Sequence, residues 1–281
     1  MRRFIQILIV LIVLGITGYV AYTLFMKWHT EQVETARIQV QDELKEVEKP
    51  GIPADRLIEV FGKAPEAIPG EKTQISLEEV ESQVMAFFSY LDSREYVSAY
   101  QLEGGAFQQF QLTIKELSSH PPLIVGETES LYSLYSNMAH FFRVLGIKRI
   151  NLIREILENE SDIIESMMET FYLWFTINVP SGEKEINRPS LEMLYTYSGY
   201  FLNTLSGRSY LLRRHAKVRT LTTYYCVLIL DKANDVLLNA YGLDIRPRIA
   251  LLLPEISSQT GLMNREQYVA DLDKLNEKYK M

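Results

Sequence analysis

The sequence predicts an all-α protein in which a single transmembrane helix precedes a helical-hairpin bundle or short α-solenoid domain. Two observations predict this fold class. The chain opens with an uninterrupted apolar run, "FIQILIVLIVLGITGYVAYTLFM", and beyond residue 75 apolar residues recur at three- and four-residue steps in one segment after another. The first pattern is typical of a membrane-spanning helix, and the second is typical of amphipathic helices that bury one face.

Residues 4–26 form the predicted membrane anchor. A helix of this length spans roughly 35 Å at about 1.5 Å per residue, which is enough to cross a bilayer. A cleaved signal peptide has an apolar stretch of about 7 to 15 residues followed by a small-x-small cleavage site. The apolar run here is longer and no such site follows it, so we expect the helix to be retained.

The charges beside the anchor predict its orientation. Arg2 and Arg3 precede it, whereas Lys27 and the basic residues that follow are dispersed among acidic ones. Positive residues are enriched on the cytoplasmic side of membrane helices. We therefore expect residues 1–3 to be a cytoplasmic stub and the rest of the chain to face the periplasm, at the inner membrane of a Gram-negative cell.

Three segments are predicted after the anchor. Residues 27–49 form a helical stalk whose narrow apolar stripe could pack on the following domain or pair two chains in a homodimer. The stripe consists of Val33, Ala36, Val40, Leu44 and Val47. Residues 50–75 are a linker rich in proline and glycine with at most one short helix, "ADRLIEVFG". Residues 76–281 form the extracytoplasmic helical domain.

Helix boundaries in the first half of this domain follow from local signals. Ser76 and Glu79 form a capping box that begins the first helix. Gly146 is predicted to end a helix that begins near Leu131. The sequence "NESD" at 159–162 is predicted to divide the next helical stretch, with Ser161 as the new cap.

One stretch in the second half competes with an all-helical interpretation. "LTTYYCVLIL" is rich in β-branched and aromatic residues, and "IALLL" at 249–253 could pair with it as a strand. Helical patterns on both sides favour a helix for both segments. Cys226 within the stretch is predicted to be a buried, inert thiol, and Asn264 is predicted to cap the last helix.

The bulk composition excludes several classes of function. The single cysteine excludes an intramolecular disulfide framework and cysteine-based zinc or haem motifs. A net charge of −7 with a pI near 5.3 argues against a nucleic-acid partner. The four histidines show no paired E-x-x-H motifs of the kind that hold a di-iron centre. We therefore predict no metal site and no cofactor.

Two short motifs in the second half of the chain are Glu165 followed by Ser166, and "GLMN" at 261–264. They resemble motifs of lytic transglycosylases, which are helical envelope enzymes. In that family the catalytic glutamate precedes a serine, and a G-L-M-Q stretch follows shortly downstream; here asparagine stands in place of the glutamine. The second motif here begins 95 positions after Ser166. From the residues alone, Glu165 is expected to be a solvated carboxylate on a helix.

A basic cluster is the most unusual feature of the second half. It consists of Arg208, Arg213, Arg214, Lys217 and Arg219, and no acidic residue occurs between Glu192 and Asp231. The helical region at 155–169 is acidic by contrast. The two regions could pair across a hairpin. Alternatively, the basic cluster could be a docking face for an acidic partner, an anionic headgroup or a cell-wall phosphate.

These observations predict a membrane-anchored, extracytoplasmic binding or scaffold subunit of a cell-envelope complex, with other envelope proteins as partners and no enzymatic activity. One alternative is an envelope enzyme that acts on cell-wall glycan with Glu165 as acid/base, which requires a cleft around that residue. Another is a ligand-binding sensor subunit. The tyrosines of "LYSLYSNMAHFF" and "LEMLYTYSGYF" would then line its pocket, although core and rim positions are their simpler assignment.

Overall fold

The computed structural model describes residues 54–62, 75–122, 131–177, 188–205, 216–236 and 242–279. These residues form helices and turns, with no β-strand among them, which confirms the all-α prediction. All of them belong to one compact unit, Pro50–Met281. None of the described helices is long and apolar enough to cross a membrane. The predicted anchor at 4–26 and stalk at 27–49 lie outside the described residues.

The helices follow one another along the chain in this order. They are α1 (Ala54–Phe61), α2 (Leu77–Ser93), α3 (Tyr96–Ala99), α4 (Ala106–Ser119), α5 (Leu131–Asn159), α6 (Ile164–Thr176), α7 (Leu191–Tyr200), a π-helical turn (Phe201–Leu205), α8 (Ala216–Asp235), α9 (Arg246–Ser258) and α10 (Arg265–Lys278).

Helices α1 and α2 pack against each other at the start of the described chain. The Ser76 hydroxyl accepts a hydrogen bond from the Glu79 backbone N–H at 3.2 Å, as the predicted cap of α2 requires. Val60 and Phe61 of α1 are buried with α2 in the hydrophobic core. The short helix that the sequence places in a linker therefore contributes to the core, because its apolar side chains are covered by α2.

Helix α5 is interrupted at the predicted glycine. Gly146 has φ 74° and ψ 152°, a backbone conformation that L side chains rarely adopt. The division at 159–162 is also confirmed, since α5 ends at Asn159 and α6 begins at Ile164. The predicted cap is wrong: Ile163 rather than Ser161 occupies the cap position and makes no side-chain capping bond. Burial of Ile163 in the core, with Ser161 exposed, fixes where the helix restarts.

Helix α6 lies between two hydrophobic clusters and contacts α2 on one side and α8 on the other. Its sequence, "IESMMETFYLWFT", carries apolar residues on more than one face, and these pack on both clusters. The first cluster contains α1 to α4 and is rich in phenylalanine. The second contains α7 to α10, and its buried tyrosines are Tyr195, Tyr200, Tyr224, Tyr225 and Tyr268.

Both segments that could have been strands are helical. "LTTYYCVLIL" lies within α8 and residues 249–253 lie within α9, so the preference for helix is confirmed. Helix α8 contacts α6, α7 and α9, and these neighbours cover its apolar side chains. Cys226 is buried among them as predicted, and burial raises the pKa of its thiol to about 12. At neutral pH it is therefore an unreactive thiol.

Candidate functional site

Glu165 lies at a junction of three helices and is completely buried. It belongs to α6, and its Oε1 atom is 2.9 Å from the Nζ atom of Lys217 at the start of α8. The expectation of a solvated carboxylate is therefore wrong. The carboxylate faces the interior because the start of α8 supplies an opposite charge and the turn before α10 supplies hydrogen-bond donors.

The same carboxylate holds the start of α10. The backbone N–H groups of Met263 and Asn264 donate to its two oxygens at 3.1 Å each, and the Tyr268 hydroxyl donates at 3.3 Å. The Asn264 side chain, predicted to cap α10, makes no capping bond. A carboxylate is favourable at a helix N-terminus, because the helix dipole and the unpaired N–H groups there carry partial positive charge.

The two motifs that resemble lytic transglycosylases are therefore in direct contact, although they are far apart in sequence. An acid/base catalyst must reach its substrate, either directly or through one water molecule. The Glu165 side chain has no exposed surface, and its oxygens are occupied by Lys217 and by the donors at the start of α10. Among the described residues this geometry joins three helices and encloses the carboxylate completely.

Two of the five residues in the predicted basic face also make internal ion pairs. Lys217 binds Glu165, and Arg219 binds Glu255 of α9 at 2.9 Å. The Thr220 hydroxyl donates to the same Glu255 oxygen at 2.6 Å. Glu165, the partner of Lys217, belongs to the acidic region 155–169. The predicted pairing between the acidic region and the basic cluster therefore occurs at Lys217. Of the cluster, Arg208, Arg213 and Arg214 lie outside the described residues.

A second buried carboxylate, Glu160, was not identified from the sequence. It is 1 % exposed and lies in the turn between α5 and α6. The hydroxyls of Tyr90 and Tyr96 donate to it at 3.0 and 2.6 Å, and Arg56 of α1 donates at 2.5 Å. The Arg56 guanidinium also lies over the Tyr90 ring. This hub fastens α1 and α2 to the turn before α6.

Burial around this hub also affects its tyrosines. Desolvation raises the pKa of Tyr96 to about 12, and the hydrogen bond to Glu160 adds to the rise. Nothing in the spacing of the sequence marks Glu160, because its partner Arg56 lies 104 positions earlier. The sequence showed only that the region around Glu160, residues 155–169, is acidic.

Four tyrosines in the two motifs considered for a ligand groove have described side chains, namely Tyr135, Tyr195, Tyr197 and Tyr200. Tyr195 and Tyr200 are almost completely buried, whereas Tyr135 is 65 % exposed. The Tyr197 hydroxyl donates to the backbone carbonyl of Leu117 at the end of α4. These contacts hold α7 against its neighbours.

Two histidines can be placed in the structure. His140 lies with Nε2 near the carbonyls of His120 and Pro121, at 3.2 and 3.1 Å, so this nitrogen must carry the proton and donate. His120 lies close to Glu116 of α4. No group of three or more histidine, cysteine or carboxylate side chains that could hold a metal ion occurs in the part of the chain that the structure describes.

The comparisons with known proteins do not place the chain in a family. No protein-family model matches it, and neither the curated proteins nor the solved structures include a significant match.

Proposed function

We propose that the chain is a membrane-anchored binding or scaffold subunit of a cell-envelope complex. In this proposal residues 4–26 hold it in the inner membrane, and the helical-hairpin domain faces the periplasm. Arg208, Arg213 and Arg214 bind an acidic group on another envelope protein. The proposal assigns the protein no reaction of its own.

One observation carries this proposal. Glu165, the candidate catalytic carboxylate, is enclosed and bonded to Lys217 and to the start of α10. Its contacts account for it as a residue that joins helices. The ion pairs of Lys217 and Arg219 also fix the first turn of α8 next to the segment that carries the three arginines. Arg208, Arg213 and Arg214 precede this helix in the sequence with no acidic residue among them, and a local field of one sign favours an acidic partner.

The test is crosslinking of the full chain in native membranes, followed by affinity purification and mass spectrometry. We expect specific envelope proteins to be recovered through segment 206–215 and protease added to spheroplasts to digest the domain. The double substitution Arg213→Glu and Arg214→Glu should abolish recovery of these partners without lowering the thermal unfolding midpoint.

The matched control is Arg94→Glu with Lys115→Glu, which changes the net charge equally. Both residues are exposed: Arg94 lies at the end of α2, and Lys115 lies on α4. This control should recover the same partners as the wild type. Equal recovery by the Arg213 and Arg214 variant would remove the docking role of the segment, and a domain protected from protease in spheroplasts would remove the periplasmic orientation.

A further inference from the structure

We draw no further inference here: the strongest candidate, the exposed apolar face of α9 formed by Pro247, Ala250, Leu251 and Pro254, carries none because nothing in the structure shows what covers it.

Discussion

At the scale of single residues, two carboxylates determine how the helices are joined. Glu165 connects α6 with the starts of α8 and α10, and Glu160 connects the α5–α6 turn with α1 and α2. Both are almost completely buried. A buried charge is costly unless it is paired and hydrogen-bonded. Both therefore contribute mainly by specifying which helix ends meet.

Replacement of Glu165 by glutamine should destabilise the fold. The change removes the charge that pairs with Lys217 and places an NH₂ group against backbone donors. Breaking a fully buried pair costs about 3 to 5 kcal/mol. Because Lys217 is 29 % exposed and can be solvated again, we expect a loss of about 2 to 3 kcal/mol in the free energy of unfolding. Urea unfolding followed by far-ultraviolet circular dichroism measures it.

The matched control for this substitution is Glu266→Gln in the first turn of α10. Glu266 is exposed, so the change should alter stability by no more than about 0.5 kcal/mol. Adding Lys217→Met to Glu165→Gln should recover part of the loss, because the unpaired ammonium is then removed. A Glu165→Gln protein as stable as the control would show that the buried ion pair does not hold the three helices together.

Residues of this kind also mark the limit of what the sequence could predict. The Ser76 cap was predictable because its partner lies three positions away. The partners of Glu165 in the turn before α10 lie 98 and 99 positions away, and no local pattern contains them. The cap predicted at Ser161 is wrong because Ile163 is buried in the first hydrophobic cluster, and this packing outweighs the local preference of the hydroxyl.

At the scale of helices, the apolar period predicted α2 and α7, which carry apolar residues at three- and four-residue steps. Helix α8 was predicted instead from the helical patterns on both sides of it, and α10 from Asn264 as its expected cap. The role of α1 could not be read in this way. It has eight residues between proline- and glycine-rich stretches, and only its contacts with α2 and Glu160 show that it belongs to the core.

Gly146 provides a test of how α5 is interrupted. A Cβ atom added at Gly146 would meet no atom within 4 Å, and the same is true of Gly261. The two glycines differ in that only Gly146 has a positive φ, of 74°. Gly146→Ala should therefore cost about 1 to 3 kcal/mol through backbone strain alone. Gly261→Ala should be neutral or stabilise by up to about 1 kcal/mol, because it restricts the unfolded chain.

Thermal and urea unfolding of the two alanine variants, side by side, makes this comparison. If Gly146→Ala is as stable as Gly261→Ala, the backbone at this position can adopt another conformation, and α5 has no fixed interruption. A loss confined to Gly146→Ala attributes the interruption to the backbone, because neither substitution creates a steric clash.

At the scale of the whole molecule, the two clusters around α6 differ in chemistry. The first is rich in phenylalanine, and the second holds the larger set of buried tyrosines, several of whose hydroxyls donate to carboxylates or backbone carbonyls. Tyr224 donates to Asp271 at 3.1 Å, and Tyr225 donates to Glu169 at 2.6 Å. These bonds require protonated phenols, and so do the bonds of Tyr90 and Tyr96 to Glu160 in the first cluster. The second cluster holds more such phenols and therefore depends more strongly on pH.

The raised pKa values of the buried tyrosines predict alkaline unfolding. Burial raises the pKa of Tyr172 and of Tyr197 to about 12, and it raises the pKa of Tyr200, Tyr224 and Tyr268 further above the ordinary value of about 10. Between about pH 10 and pH 12 the unfolded chain loses phenolic protons that the folded chain keeps. Stability is therefore fully present below about pH 10 and is lost as the pH rises toward 12. Helical circular dichroism and tyrosinate absorbance should change together.

Tyr172→Phe tests the origin of this transition, because it removes one ionisable phenol from the side of α6 that faces the second cluster. Its transition should move to higher pH, since the unfolded state gains less from ionisation. Tyr135→Phe, at a position that is 65 % exposed, should leave the midpoint unchanged. If tyrosinate forms well below the pH at which helical dichroism is lost, the phenols are accessible in the folded state, and the second cluster is not closed to solvent. Coincident transitions that respond to Tyr172 but not to Tyr135 make the tyrosine cluster the part of the fold that sets its alkaline limit.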